Sequence, residues 1–138
     1  MATKSIKIYS DGGARGNPGP AAAAFVVISD GRVNYKKAKY LGEATNNVAE
    51  YCGVLMALDW LVKDKVVSVK KIGFYLDSEL VANQLSGNYK VKNENLKTLI
   101  LKIKKLEEKS GINIVYKSVP RSKNKLADYL VNEVLDEN

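Results

Sequence analysis

The chain opens with apolar and polar positions that alternate with a period of two, the pattern of a strand with one buried face. Ile6, Ile8 and Ser10 fall on one face. Asp11 lies on the other, and the glycine-rich stretch 12–20 follows it. The pattern predicts a strand that ends at Asp11 and breaks at once into a turn. One interpretation is an ordinary hairpin; the other is a ligand site, because α/β sheets hold ligands at the carboxyl ends of their strands.

Four later segments also predict strands. The apolar run Ala21–Ile28 is typical of a buried strand, and Val33–Leu41 returns as a more polar strand after a hairpin signal. Ile72–Asp77 repeats the pattern of the first strand and again ends in Tyr-x-Asp, and Ile112–Val119 alternates up to a proline. The first three strands are expected to form an antiparallel meander.

Apolar residues at helical spacing predict a helix between the third and fourth strands. It begins at residues 45–47 and ends within residues 63–65. Asn47, with Glu50 three residues later, matches the capping-box pattern, which is one explanation for Glu50. A strand, a crossover helix and a further strand imply parallel pairing with a right-handed connection.

Three more helices follow in the sequence. Ser78 is positioned to cap a short helix over Glu79–Leu85, a regular apolar stripe predicts a longer helix that closes at Gly111, and Asn124 precedes the last helix as its cap. The elements together predict an α/β protein with a five-stranded mixed sheet, antiparallel strands first and parallel strands after, flanked by helices. We expect residues 1–138 to form one domain.

The amino-acid composition excludes several classes of protein and of site. Hydrophobic residues make up 46% of the chain, but the longest apolar run is far too short to cross a membrane. There is no histidine, which rules out chemistry that needs imidazole and zinc sites built from His and Cys. The one cysteine, Cys52, excludes an internal disulfide and favours a reducing, cytoplasmic location.

The net charge of +7 favours an anionic partner, with nucleic acid first and an acidic membrane surface second. The lysines of the third predicted helix lie off its apolar stripe, which is typical of a solvated face. Basic composition by itself therefore does not identify the partner.

Four acidic residues are expected to meet at one site. Asp11 and Asp77 end two strands, and Glu50 and Asp128 lie near the starts of two helices. Clustered carboxylates are costly unless a cation binds between them. Oxygen ligands suit Mg²⁺ or Mn²⁺, and two such ions can drive an in-line displacement on a phosphate backbone that the basic surface attracts.

The chain resembles type 1 ribonuclease H over nearly its whole length, with the compact archaeal and bacterial branch as the best match. Four motifs carry the resemblance: DGGARGNPGP from residue 11, TNNVAE over 45–50, YLDS over 75–78 and NKLAD over 124–128. The order of strands and helices agrees with the ribonuclease H fold. The resemblance implies an endoribonuclease that hydrolyses the RNA strand of RNA–DNA hybrids with two metal ions, leaving 3′-hydroxyl and 5′-phosphate ends.

The resemblance also implies roles for individual residues. The ligands of the two Mg²⁺ or Mn²⁺ ions would be the acids Asp11, Glu50, Asp77 and Asp128. The backbone from Gly12 to Gly16, together with Glu50, would lie against RNA 2′-hydroxyls. The other implied substrate contacts are Asn17, Asn46 and Asn47 in the minor groove, Thr45 and Asn93 at a DNA phosphate, and Tyr89 near the DNA strand. Tyr89 is equally explained as a half-buried aromatic residue.

Three departures from the family pattern stand out. A histidine that many relatives carry before the last acid is absent, and Arg121 lies in that loop. Arg121 could orient a phosphate but cannot act as a general base at neutral pH. Glu43 stands where relatives often have a basic residue. The extra basic helix of some bacterial members is missing, because Gly87 runs almost directly into the next helix.

Two other classes of protein compete with this interpretation. Integrases and junction resolvases share the fold but lack the combined GNPGP and TNN motifs. A catalytically weak module that binds hybrid or duplex RNA is the second alternative, although loss of activity usually removes one of the acids. Double-stranded RNA is a further candidate partner; neither a membrane nor an obligate protein partner is expected.

Overall fold

The computed structural model of the protein describes residues 6–64 and 69–138. Five strands form one sheet, four α-helices flank it, and a short 3₁₀ helix precedes the last of them. In chain order the elements are β1 (Ile6–Ala14), β2 (Gly19–Ser29), β3 (Arg32–Ala44), α1 (Asn46–Lys63), β4 (Lys71–Leu76), α2 (Glu79–Leu85), α3 (Glu94–Ser110), β5 (Asn113–Ser118), the 3₁₀ helix (Arg121–Lys123) and α4 (Lys125–Glu137).

The sheet is mixed, as the sequence predicted. Its strand order is β3-β2-β1-β4-β5; β1, β2 and β3 pair antiparallel, and β4 pairs in parallel with both β1 and β5. The helix α1 is the crossover between the antiparallel and parallel parts. The expected α/β fold with antiparallel strands first is therefore confirmed.

Apolar side chains are buried on both faces of the sheet. On one face α1, α2 and α3 cover a core that includes Ile8, Phe25, Tyr51, Leu58, Phe74, Leu85 and Ile103. On the other face α4 covers small residues of β2, in a cluster formed by Ala22, Ala24, Val26, Ala127, Leu130, Val131 and Leu135. In the described part of the chain, no helix is long and apolar enough to span a bilayer.

The first strand continues past the point where the sequence pattern ends it. Pairing of β1 with β4 stops at Tyr9 and Tyr75, but pairing with β2 continues from Asp11 to Ala14. The prediction that the strand breaks at Asp11 was therefore wrong, because the neighbouring strand β2 supplies backbone partners for the glycines. The turn itself spans residues 15–18 and joins a hairpin, so the hairpin interpretation was correct for the turn.

Helix α1 starts two residues earlier than a cap at Asn47 requires. Thr45 is the cap, and its Oγ1 accepts a hydrogen bond of 3.2 Å from the amide of Val48. Asn47 is already the second residue of the helix, so the capping-box explanation of Glu50 was wrong. The helix ends at Lys63, and position 65 of the predicted end lies outside the described residues.

The later helices agree with the sequence pattern except at one cap. The helix α2 spans the predicted residues, and Ser78 Oγ accepts a hydrogen bond of 3.2 Å from the amide of Val81. Asn124 precedes α4 as expected, but its side chain makes no capping hydrogen bond. It instead donates to the carbonyl of Ser10 in β1. The prediction that Asn124 occupies the cap position of the last helix is therefore confirmed, although its side chain bonds to β1 rather than to the helix.

Candidate active site

Parallel pairing places two of the four acids side by side. Tyr9 of β1 pairs with Tyr75 of β4, and the two rings stack with centroids 5.1 Å apart. Asp11 and Asp77 each follow two residues later, where the two strands separate. Asp11 is 8% exposed, and the side chain of Asp77 is 13% exposed. The two carboxylates are thus fixed by the sheet and largely withdrawn from water.

Two glycines let α1 approach β1 closely enough to bring Glu50 beside these acids. A Cβ added at Gly12 would lie 2.1 Å from the carbonyl of Ala49, and one added at Gly53 would lie 2.8 Å from the carbonyl oxygen of Asp11. Neither distance is tolerable for a side chain. The glycines at these positions therefore set the spacing between the strand that carries Asp11 and the helix that carries Glu50.

The last helix supplies the fourth acid. Asp128 lies in the first turn of α4, where the positive end of the helix dipole favours a carboxylate. Asn132, one turn later, donates from Nδ2 to the Asp128 carbonyl at 3.0 Å and approaches its Oδ1 at 3.4 Å. Asn132 was not predicted from the sequence; its position four residues after Asp128 is the signal that could have found it.

The four acids line one open cleft of about 800 Å³. The cleft lies across the carboxyl ends of the two parallel strands β1 and β4 and the N-termini of α1, α3 and α4. Most of the predicted site residues line it, namely Asp11, Gly12, Asn17, Thr45, Asn46, Asn47, Glu50, Asp77, Asn93, Arg121 and Asp128. The structure therefore brings together four motifs that are far apart in the sequence.

Burial and repulsion by neighbouring carboxylates raise the pKa of two of the acids, Asp11 and Glu50. Burial raises the pKa of Asp11 to about 8, and the neighbouring carboxylates of Asp77, Asp128 and Glu50 add to the rise. Burial likewise raises the pKa of Glu50 to about 7; a hydrogen bond from Ser78 and the charge of Arg121 partly oppose this rise. A carboxyl group with so high a pKa is stabilised by a cation that binds its charged form.

The donor set fits a divalent cation with oxygen ligands. Asp77 Oδ2 is buried and has no hydrogen-bond partner among the described residues, and Arg121 Nε lies 3.5 Å from it. Within residues 6–64 and 69–138, no three acidic side chains are close enough to hold an ion by themselves. Mg²⁺ commonly binds through one or two carboxylates and completes its shell with waters and substrate phosphates. Such an ion suits this arrangement.

Two asparagines at the rim join the β1–β2 turn to α1. Asn46 Oδ1 accepts a hydrogen bond of 2.8 Å from the Ala14 amide, and Asn17 Oδ1 accepts one of 3.0 Å from the Asn46 amide. Each side-chain oxygen therefore accepts one hydrogen bond. Among residues 6–64 and 69–138 neither Nδ2 group has an acceptor, so both can donate at the rim of the cleft.

The N-termini of two long helices open into the same cleft. Thr45 caps α1, and Asn93 caps α3, where its Oδ1 accepts a hydrogen bond of 3.1 Å from the Leu96 amide. Helix N-termini attract anions because their first amide groups and the helix dipole are positive. Glu43 is exposed and does not line this part of the cleft.

Two predicted substrate residues lie outside the cleft. Gly16 is in the β1–β2 turn but does not line it, and Tyr89 is half exposed in a separate shallow pocket with Val91, Lys97 and Leu101. Conversely, the sequence did not single out Arg15, Asn95 or Val131, which do line it. No local sequence pattern marks these side chains as part of a site. They line the cleft because the fold brings the β1–β2 turn and two helices together.

The sequence of this chain is similar to a protein-family model and to several known proteins. Residues 9–134 match a family model described as reverse transcriptase-like. A bifunctional protein of Mycobacterium tuberculosis is 39% identical over 133 residues, which are 95% of this chain and 35% of that protein. The chain thus spans about a third of the length of the mycobacterial relatives that it matches.

Two solved structures are similar over nearly their full length. One is LC11-RNase H1, isolated from compost and solved in complex with an RNA/DNA hybrid; it is 43% identical, with a TM-score of 0.91, covering 96% of this chain and 98% of that one. The other is RNase H1 from the halophilic archaeon Halobacterium salinarum, 34% identical with a TM-score of 0.87, covering 97% and 99%.

Proposed function

The chain belongs to the ribonuclease H1 family, and from that membership we propose that it is an endoribonuclease that cuts the RNA strand of RNA–DNA hybrids. The products would be 3′-hydroxyl and 5′-phosphate ends. One observation supports this proposal most: four carboxylates from separate motifs line a single cleft, and Asp11, the most buried of them, has a pKa of about 8. A protein keeps so costly a cluster where a cation offsets the repulsion.

The acids would hold two divalent ions, Mg²⁺ or Mn²⁺. Asp11 and Asp77 are fixed by paired strands, Glu50 by the close packing of α1 on β1, and Asp128 by the first turn of α4. Bound ions would supply activation of the attacking water and stabilisation of the leaving oxygen. The protein contributes fixed carboxylates and a desolvated floor to the cleft, so little reorganisation is needed when the substrate arrives.

The rim of the cleft would hold the hybrid. The free Nδ2 groups of Asn17 and Asn46 match the acceptors that bases present in the minor groove. Asn47 lies beside them at the start of α1. The helix N-termini at Thr45 and Asn93 would bind a phosphate of the DNA strand. The backbone at Gly12 and Gly16 would lie along RNA 2′-hydroxyls, which distinguish RNA from DNA, and Tyr89 would extend contact with the DNA strand.

Arg121 would act on a phosphate rather than on a proton. Its side chain is largely exposed while Nε lies 3.5 Å from Asp77 Oδ2, so the guanidinium stands at the border of the acidic floor and the solvent. A permanent positive charge at this place suits a product phosphate or the scissile phosphate.

Cleavage of three matched duplexes of one sequence tests the proposal. The hybrid, double-stranded RNA and double-stranded DNA are each incubated with the protein while Mg²⁺ or Mn²⁺ is titrated. We expect metal-dependent cleavage of the hybrid RNA strand and none of the DNA duplex. Cleavage of double-stranded RNA would widen the substrate class without changing the site. Binding of the hybrid without cleavage at any metal concentration would instead identify a binding module.

A further inference from the structure

Asn124 is a buried polar residue that links the start of α4 to the strand β1. It is 1% exposed, and its Nδ2 donates to the carbonyl oxygen of Ser10 at 2.9 Å, although the two residues are 114 positions apart. Ser10 immediately precedes Asp11 and follows Tyr9, the last β1 residue paired with β4. Asn124 therefore supplies a hydrogen-bond donor at the point where the two parallel strands separate and the backbone carbonyl would otherwise lack one.

The backbone of the same residue fixes a second acid. The carbonyl of Asn124 accepts a hydrogen bond of 3.2 Å from the amide of Asp128. This bond closes the first turn of α4. One residue thus contacts both the strand that carries Asp11 and the turn that carries Asp128.

The side chain of Asn124 makes its hydrogen bond to β1 and none to its own helix. An asparagine directly before a helix usually accepts a hydrogen bond from an amide of the first turn. Asn124 makes no such bond, and its Oδ1 is buried with no partner among the residues that the structure describes. Forgoing the cap and burying an open acceptor both lower stability. The bond to Ser10 is retained in spite of these costs.

We propose that Asn124 is a positioning residue that sets the separation of the carboxylates of Asp11 and Asp128. It acts through the Ser10 carbonyl on one side and through its own carbonyl on the other. The inference rests on the proposed function, in which both acids hold divalent ions. Asn124 contacts neither ion nor substrate in this role, because it is buried and does not line the cleft.

The variant Asn124→Leu tests the role, since leucine has a similar size and shape but no donor. Mn²⁺ affinity of the protein without nucleic acid is measured by electron paramagnetic resonance, and kcat and KM for the hybrid are measured at several Mn²⁺ concentrations. We expect Mn²⁺ affinity to weaken by ~10-fold or more, as for other residues that orient metal ligands. At limiting Mn²⁺, kcat should fall while KM for the hybrid stays close to the wild-type value.

Two further variants make the result specific. Asn124→Gln keeps the amide one methylene further out and should recover part of the lost affinity. Asn138→Leu removes a similar bond, 2.7 Å from Nδ2 to the Val134 carbonyl, at the far end of α4. It should change neither Mn²⁺ affinity nor kcat. If Asn124→Leu does not fold, Asn124→Ser, which is too short to reach the Ser10 carbonyl, takes its place with the same expectation.

Wild-type Mn²⁺ affinity in a folded Asn124→Leu or Asn124→Ser protein overturns the inference, even if the protein melts at a lower temperature. An equal loss of affinity in Asn138→Leu overturns it as well. Failure of the proposed function is a separate outcome: a wild-type protein that binds Mn²⁺ but does not cut the hybrid is no nuclease, and the change in Mn²⁺ affinity still decides the role of Asn124. A wild-type protein that binds no Mn²⁺ overturns both.

Discussion

Tyr9 of β1 and Tyr75 of β4 occupy paired positions in the parallel part of the sheet, and their rings stack with centroids 5.1 Å apart. Asp11 and Asp77 follow them at the same two-residue offset. The pairing that stacks the tyrosines therefore also sets two carboxylates at the same level of the sheet. Because like charges in a buried place repel, this arrangement favours a bound cation.

Neutralising either strand acid should abolish cleavage and preserve binding. In Asp11→Asn or Asp77→Asn one metal-ligand charge is lost while the basic surface remains, so we expect hybrid cleavage to fall by roughly 10²-fold or more and hybrid affinity to change little. Cleavage assays and fluorescence anisotropy measure the two effects. Asp59→Asn, which removes an exposed acid paired with Lys63 on α1, is the control. Near-wild-type cleavage in either variant would refute the site.

The stability of the metal-free protein should depend on pH through Asp11. Its pKa is about 8 in the folded protein against an ordinary value of 3.8, so the folded state binds this proton more tightly. Stability is therefore greatest at low pH, as far as Asp11 is concerned, and is lost as pH rises towards about 8. Thermal melts in the presence of a chelator, from pH 5 to 9, should show this decline.

Asp11→Asn should flatten that pH dependence. Because asparagine does not ionise, we expect the metal-free variant at pH 8 to be more stable than the wild type by on the order of 1–3 kcal/mol. Added Mg²⁺ should stabilise the wild type at pH 8 more than at pH 6, since binding needs the ionised acids. A variant whose melting temperature follows pH as steeply as the wild type would show that another group is responsible.

Gly53→Ala should separate α1 from β1. The new methyl group would lie 2.8 Å from the carbonyl oxygen of Asp11, so the helix has to move, at a cost of about 1–3 kcal/mol. Glu50 moves with it, and we expect turnover to fall more than hybrid affinity. Gly13→Ala is the stability control, because its methyl group would meet only Val131 Cγ1 at 3.7 Å. An unchanged melting temperature in Gly53→Ala would argue against the close packing.

Arg121 should increase turnover through its permanent positive charge and not by transferring a proton. We expect Arg121→Ala to lower kcat by ~10-fold or more, because a fixed charge near the reacting phosphate acts chiefly in the transition state, and to weaken hybrid binding less. Arg121→Lys should recover only part of the loss. Lys123→Ala, in the same 3₁₀ helix, should leave kcat near the wild-type value. If Arg121→Ala leaves turnover and its pH profile unchanged, the arginine is a bystander.

The sequence alone predicted the elements whose signals are local. The boundaries of α2, the cap at Ser78 and the end of α3 at Gly111 were all confirmed, because each depends on residues within one or two turns. The alternation of β1 and β4 and the four spaced motifs were enough to expect one acidic cleft. Their resemblance to a family supplied the substrate-binding residues, and all of these roles remain predictions; Gly16 and Tyr89 lie outside the cleft.

The tertiary structure decided what depends on partners that are distant along the chain. The strand β1 continues past Asp11 because β2 pairs with it. The side chain of Asn124 donates to the carbonyl of Ser10, far away in sequence, and makes no hydrogen bond to its own helix. The pKa of Asp11 likewise rises only when burial and the other acids surround it. Local sequence patterns predict helices, strands and caps. Burial and long-range hydrogen bonds determine which of several possible partners each polar group takes in the folded protein.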